Sequence, residues 1–315
     1  MAENSQVYDL VIIGGGPAGM TAGMYAARAR MNVLLLEKLS PGGQILNTDW
    51  VENYPGFPEG IGGFDLADRM KSQALRFGLP VEAAEVTRLD LSLPVKQVVL
   101  AGGTVVRSQS VIIATGATWN KLGVAGESEL LGKGVSYCAT CDGPFFREAV
   151  TAVVGGGDSA VEEAVFLTRF AKKVYLIHRR DKLRATKIVQ ERATANEKIE
   201  ILWNTVVTEV LGTGKVEGVG LNNVITGRKT VLELEGLFIF VGMRPNTGFV
   251  GSEIQKDPRG FIVTNLYMET NIPGVFACGD VTQKDFRQIA NAVGEGANAC
   301  NSAERYLDRL HAGSN

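Results

Sequence analysis

Two cysteines at C-x-x-C spacing, Cys138 and Cys141, stand in the run Tyr137-Cys138-Ala139-Thr140-Cys141-Asp142. A dithiol that closes to a disulfide gives up or takes up two electrons at once. The same spacing can supply half of a zinc site, but no second C-x-x-C and no His pair exists to complete one. Asp142 adjoins Cys141 and is the candidate acid–base for moving a proton to or from a thiolate. Its other reading is a turn or helix N-cap acid. Of the remaining cysteines, Cys278 falls in an apolar run and Cys300 in an Ala-rich helix. Both read as small core residues without the neighbours of a metal site.

The segments on either side of the dithiol place it between two nucleotide units. Residues 8–13 form an apolar strand, followed by Gly14-Gly15-Gly16-Pro17-Ala18-Gly19, a G-x-G-x-x-G turn. A helix over 20–30 and a second strand over 32–37, ending in Glu37, complete the unit. Each glycine is there for a physical reason. Gly14 permits the tight turn, Gly16 lets a pyrophosphate approach the backbone, and Gly19 lets helix and strand pack closely. The helix N-terminus, with Pro17 and Ala18, faces the phosphates, and Glu37 can accept from ribose hydroxyls. The order then recurs: a strand over 149–154, the turn Gly155-Gly156-Gly157-Asp158-Ser159-Ala160, a helix over 161–170 and a strand over 174–177. Glu37 and His178 each lie 23 residues past the first glycine of their motif. Where the first unit has a carboxylate, the second has His178, Arg179 and Arg180, with Arg184 close behind. A carboxylate there repels a 2′-phosphate, whereas a guanidinium cluster forks onto it. The contrast assigns free ribose hydroxyls to the first unit and NADPH to the second. The alternative is a solvated basic patch at a strand end. Two further strands end in small-residue turns, Ala114-Thr115-Gly116 and Cys278-Gly279-Asp280, the latter closing a strand expected over 270–280.

Composition narrows the class. A chain of 315 residues has room for about two domains. The net charge of −2 offers no electrostatic argument for nucleic acid or an anionic membrane. No apolar run reaches the ~18 residues of a membrane span. The first 20 residues lack a basic n-region and lead into a glycine turn, so a cytoplasmic protein is expected. A close cysteine pair in such a reducing compartment points to redox or metal chemistry.

Together these residues closely resemble the bacterial-type, low-molecular-weight thioredoxin reductases, over essentially the whole chain. The resemblance is carried by the first glycine motif, the Gly42-Gly43-Gln44 turn, Glu52-Asn53-Tyr54-Pro55-Gly56, the Thr115-Gly116 turn, Cys-Ala-Thr-Cys-Asp, Gly155 to Ala160, the basic cluster, and Gly279-Asp280 with Arg287-Gln288 after it. The dithiol inside the NADPH unit is the most specific feature. In the related glutathione-reductase branch the redox pair lies early in the FAD domain, and a C-terminal histidine serves as acid–base. Here residues 34–53 hold no cysteine, and the only histidines are His178 and His311.

The resemblance implies an α/β fold of two Rossmann-like domains, with the NADPH domain inserted into a discontinuous FAD domain: 1–118 and 247–315 for FAD, 119–246 for NADPH and the dithiol. It also implies a homodimer and thioredoxin as the protein substrate. NADPH would reduce FAD, FAD the Cys138–Cys141 disulfide, and the dithiol thioredoxin. Which sulfur lies nearer the flavin stays open; adjacency to Asp142 favours Cys141. Dithiol and nicotinamide share one small domain and one flavin, so two domain orientations are expected, hinged near Trp119 and Asn246. Phe145 and Phe146 offer an apolar docking surface or, equally, core packing; Pro144 departs from the family's usual aromatic run. Rival readings are reduction of another dithiol protein, a flavin oxidase that forms disulfides, a ferredoxin–NADP reductase-like carrier, and a nucleotide-binding sensor. Reductases of the peroxiredoxin system usually carry an extra N-terminal thioredoxin-like region, for which Met1 to Val7 leaves no room, though a separate chain could supply it. The oxidase would lack the second nucleotide turn, and the carrier would not need the two cysteines.

Overall fold

A computed structural model describes residues 6–48, 50–51 and 53–312; Glu52 of the resemblance motif lies outside them. The chain divides into two compact units, Met1–Thr118 with Arg244–Asn315, and Trp119–Met243. Its return to the first unit comes at Arg244 rather than after Asn246. The reason is local: Asn246 is already tied into the first unit. Its amide donates to the Thr115 carbonyl at 2.8 Å and its own carbonyl accepts from the Thr115 hydroxyl at 2.8 Å.

In the first unit, β1 (Val7–Ile13) leads through α1 (Pro17–Arg28) to β2 (Val33–Glu37). Helix α2 (Gly63–Arg76) precedes β3 (Val81–Ala83), and β4 (Val86–Asp90), β5 (Lys96–Leu100) and β6 (Val105–Ile113) follow as an antiparallel meander. The sheet order is β3-β2-β1-β6-β5-β4, and the strand Val275–Ala277 also pairs with β6. Strands β3, β2, β1 and β6 run parallel. Alternation along β1 sorts its side chains to two faces. Leu10 and Ile12 pack with Ala18, Ala22 and Ala26 of α1 and with the last helix, Ile289–Ala312. Val11 and Ile13 pack with Leu89 and Val98 of the meander. Helix α1 begins at Pro17, earlier than the apolar pattern suggests, because proline is tolerated in a first helical turn. The strand expected over 270–280 is confined to Val275–Ala277. Pro273 has no N–H to give a ladder, and Gly274 at φ 78° turns the chain.

In the second unit, β7 (Val135–Ser136) leads to the short helix α3 (Ala139–Asp142). Then come β8 (Val150–Gly155), α4 (Asp158–Leu167), β9 (Lys173–Ile177), α5 (Lys187–Thr194) and β10 (Ile199–Leu202). An antiparallel sheet of β11 (Thr205–Leu211), β12 (Gly218–Asn223) and β13 (Lys229–Glu233) intervenes before β14 (Gly236–Phe240). The parallel sheet has the order β7-β14-β8-β9-β10. Val153 faces the α4 side with Ala160, Ala164 and Leu167, while Ala152 and Val154 face Val207 and Val219. In each unit one strand of a parallel array, β1 or β8, feeds a glycine turn and a helix.

Candidate functional site

Cys138 and Cys141 are joined by a disulfide, with Cα atoms 5.3 Å apart. The bridge spans the first turn of α3: Cys138 is its N-cap, and its Sγ accepts the Cys141 N–H at 3.3 Å and lies 3.3 Å from the Thr140 hydroxyl. Donors aimed at Sγ favour its thiolate form once the bond opens. Asp142 closes α3, half-buried, and its side chain makes no capping bond to the 3₁₀ turn Gly143–Phe146 that follows. The two aromatic residues of that turn part company. Phe145 is exposed, whereas Phe146 sets its ring edge-on against Phe238 at 5.2 Å.

The second glycine turn is stitched to the basic loop that follows β9. The Gly156 carbonyl accepts the N–H groups of Arg184 at 2.6 Å and Ala185 at 3.1 Å, and the Asp158 carboxylate accepts the Thr186 N–H at 2.7 Å. The backbone and side-chain bonds from Thr186 hold the Asp158 carboxyl below its usual range. Arg179, Arg180 and Arg184 are exposed, as is Ser159; Ala160 is buried. His178 is not with the guanidinium groups: it is 4% exposed, under the turn. A Cβ on Gly155 would lie 2.6 Å from the Phe240 carbonyl oxygen, whereas one on Gly157 would meet nothing within 4 Å.

The first glycine turn gathers segments from both ends of its unit. Gly14, at φ 106°, passes so close to β6 that a Cβ would lie 2.5 Å from the Ala114 carbonyl oxygen. A Cβ on Gly19 would lie 1.8 Å from the Gly14 oxygen. Gly16 caps α1 without a side chain, and Gly43 approaches it so nearly that a Cβ on Gly43 would sit 3.1 Å from the Gly16 Cα. Gln44 donates to the Ala117 carbonyl at 3.1 Å, and the Gly116 carbonyl accepts the Asn246 N–H at 3.0 Å. Glu37 divides its oxygens between the N–H groups of Gly15 at 2.6 Å and Leu39 at 2.9 Å. Asn53 donates to Gln288 at 3.0 Å across 235 residues. Gly279 faces Ala18 closely enough that a Cβ would lie 2.8 Å from the Ala18 Cβ, which brings Asp280 to the head of α1. Burial raises the Asp280 carboxyl above its usual range, against the pull of Lys284 and Arg287. Arg287 lays its guanidinium over Phe261, 4.2 Å from the ring centroid, and donates to the Thr282 carbonyl at 3.2 Å.

These features fit dinucleotides. The bare backbone at Gly16 and Gly157, at the heads of α1 and α4, leaves the space that a side chain would fill and the donors that phosphates accept. Asp280 retains acceptor capacity for hydroxyls.

Sequence reasoning missed several residues here. Glu295 of the last helix accepts the Gly279 N–H at 2.7 Å and pairs with Lys284, holding the Gly-Asp turn from behind. Its only signal was a lone acid in the small-residue run 289–300. Glu127, 2% exposed, accepts the Tyr137 hydroxyl at 2.6 Å and the N–H groups of Leu122 and Gly123 at 2.9 and 2.7 Å. Burial opposes its charge, but these donors outweigh burial and hold its carboxyl below the usual range. Tyr137, next to Cys138, stacks on Trp119 with centroids 6.1 Å apart.

A family model described as pyridine nucleotide-disulphide oxidoreductase matches residues 8–296. A thioredoxin reductase of Listeria innocua is 48% identical over 311 residues, spanning 98% of this chain and 97% of its own length. The solved thioredoxin reductase of Streptococcus pyogenes superposes with a TM-score of 0.92 at 48% identity, covering 96% of this chain and 99% of that one. That of Lactococcus lactis, described as in an FR conformation, has the same identity and coverages but a TM-score of 0.66. Fold, glycine turns and dithiol define a flavoprotein of the pyridine nucleotide-disulphide oxidoreductases. Within that class the chain belongs to the bacterial thioredoxin reductase family, which works with FAD and NADPH. Among the described residues no helix is long and apolar enough to cross a membrane.

Proposed function

We propose that this chain is a thioredoxin-disulfide reductase whose first unit holds FAD and whose second holds NADPH and the redox disulfide. The observation that carries the reading is the Cys138–Cys141 disulfide, set on α3 within the same unit as the second glycine turn. Gly14, Gly16, Pro17, Ala18 and Gly19 would cradle the FAD pyrophosphate, and Glu37 a ribose. Gly43, Gln44, Asn53, Thr115, Gly116, Gly279, Asp280, Arg287 and Gln288 would line the rest. Gly155, Gly157, Asp158, Ser159 and Ala160 would receive the NADPH pyrophosphate, and Arg179, Arg180 and Arg184 its 2′-phosphate. Bound flavin supplies a two-electron relay from a nicotinamide to a disulfide.

The protein's own part starts with opening the S–S bond. The Cys141 N–H and the Thr140 hydroxyl stabilise the thiolate on Cys138, which makes Cys138 the sulfur that attacks thioredoxin. Cys141, beside Asp142, then resolves the mixed disulfide, and Asp142 moves the accompanying proton. Phe145 provides the exposed apolar contact for the partner. The units reorient between the half-reactions. Two relatives of equal identity that differ in TM-score, 0.92 against 0.66, support such a change between compact bodies. The family resemblance extends to a homodimer in the cytoplasm.

Anaerobic reduction separates this reading from its rivals. NADPH should bleach the flavin of wild type, Cys138→Ser and Cys141→Ser alike, while thioredoxin is reduced by wild type alone. A Cys141→Ser enzyme that reduced thioredoxin at the wild-type rate would overturn the mechanism.

A further inference from the structure

Glu37 and His178 occupy the same register in their two units, and the fold gives them the same place. Each lies beneath the second glycine of its turn: a Cβ on Gly15 would come within 3.2 Å of Glu37, and one on Gly156 within 2.2 Å of the His178 ring. Their polarity is opposite. Glu37 accepts the Gly15 N–H, whereas His178 Nδ1 faces the Gly155 carbonyl oxygen at 2.9 Å. His178 then does something Glu37 does not. Its Nε2 faces the Lys182 carbonyl oxygen, also at 2.9 Å. A carbonyl oxygen only accepts and a neutral imidazole has one N–H, so the ring bonds both carbonyls at once only with hydrogen on both nitrogens. With no room above it and both nitrogens engaged, this ring has no atom left for a nucleotide. It links the glycine turn to the midpoint of the loop 179–184.

We propose that His178 is the positioning residue for 2′-phosphate recognition: it pins the loop bearing Arg179, Arg180 and Arg184 to the turn that receives the pyrophosphate. The proposal rests on the assignment of NADPH to the second unit. Long guanidinium side chains exposed to water lose entropy when they converge on a phosphate, and a loop held in register reduces that loss. The bond to Lys182 therefore acts on the 2′-phosphate, while the bond to Gly155 acts on the turn shared by both nicotinamide cofactors.

The two bonds can be separated. The amide of Asn places its donor near Nδ1 of a histidine, and that of Gln near Nε2. The flavin-loaded full chain is titrated calorimetrically with 2′,5′-ADP and with 5′-AMP, which differ by the 2′-phosphate. His178→Leu should weaken 2′,5′-ADP about threefold to tenfold more than it weakens 5′-AMP, the range one hydrogen bond carries. His178→Gln should restore most of the preference and His178→Asn little of it. Equal weakening of both probes in the Leu variant, or equal rescue by Asn and Gln, overturns the proposal; if Leu prevents folding, the Asn–Gln comparison decides alone. Arg179→Ala with Arg180→Ala is the control: retained preference there defeats the NADPH assignment itself, whatever the histidine variants do.

Discussion

Glu163 of α4 has its Oε2 buried with no hydrogen-bond partner among the described residues. Burial, and then the charge of Glu162, push its carboxyl up to about 7. Glu127 is also shielded from water, 2% exposed, yet Tyr137 and backbone N–H groups that point at it hold its carboxyl below the usual range. Donors aimed at a buried carboxylate offset what burial costs its charge, and Glu163 lacks them. Glu163 shares a helix face with Phe166 and Leu167 of α4, which pack around Gly143 at the end of α3 together with Phe170 beyond the helix. A carboxyl whose folded pKa is raised binds its proton more tightly in the native state. Its stabilising contribution is complete below the unfolded value and fades as pH rises through about 7. Wild type should therefore lose stability between about pH 5 and pH 8, on the order of 2 kcal/mol from this group. Glu163→Gln should flatten that decline, as read from urea unfolding at both pH values. An identical decline in the variant would assign it to other groups. The same residue scale explains the quiet cysteines. Burial raises both the Cys278 and Cys300 thiols, the latter to about 12, so neither is ionised near neutrality.

The glycines of the two turns have separable roles at the level of the element. Gly19 has no space for a side chain, since the Gly14 carbonyl occupies it. Gly19→Ala should destabilise the first unit by about 1–3 kcal/mol through overpacking and release flavin, measured by thermal unfolding and retained yellow chromophore. Gly157 has open space and an ordinary helix N-cap backbone. Gly157→Ala should leave the melting temperature nearly unchanged while raising KM for NADPH about tenfold, because its methyl would stand where the pyrophosphate approaches. Loss of both properties in Gly157→Ala would mean that the glycine is structural. The strand–turn–helix order of both units was legible in the residues. Apolar runs of strand length and glycine spacing are local signals. The ends of elements were less so: α1 enters its own glycine motif at Pro17, and Pro273-Gly274 cuts the late strand down to Val275–Ala277.

At the scale of the molecule, the chain passes between units at Thr118/Trp119 and Met243/Arg244. Gly116 at φ 68° and Gly242 at φ 104° flank the crossings, conformations that glycine adopts without strain. A dye pair with one member on each unit should report two distances, redistributed on adding NADPH. A single distance held throughout turnover would sink the reorientation. The residues alone determined that two nucleotide turns exist, that the second has the charge for a 2′-phosphate, and that a dithiol lies between them. These follow from turn geometry and charge within a few dozen residues. Tertiary structure decided the rest. It put His178 under the turn, not among the arginines, and joined Asn53 to Gln288. It set Glu295 behind Gly279 and gave Cys138 the donors that favour its thiolate. Such placements depend on which distant segments exclude water from one another, and no spacing along the chain records that.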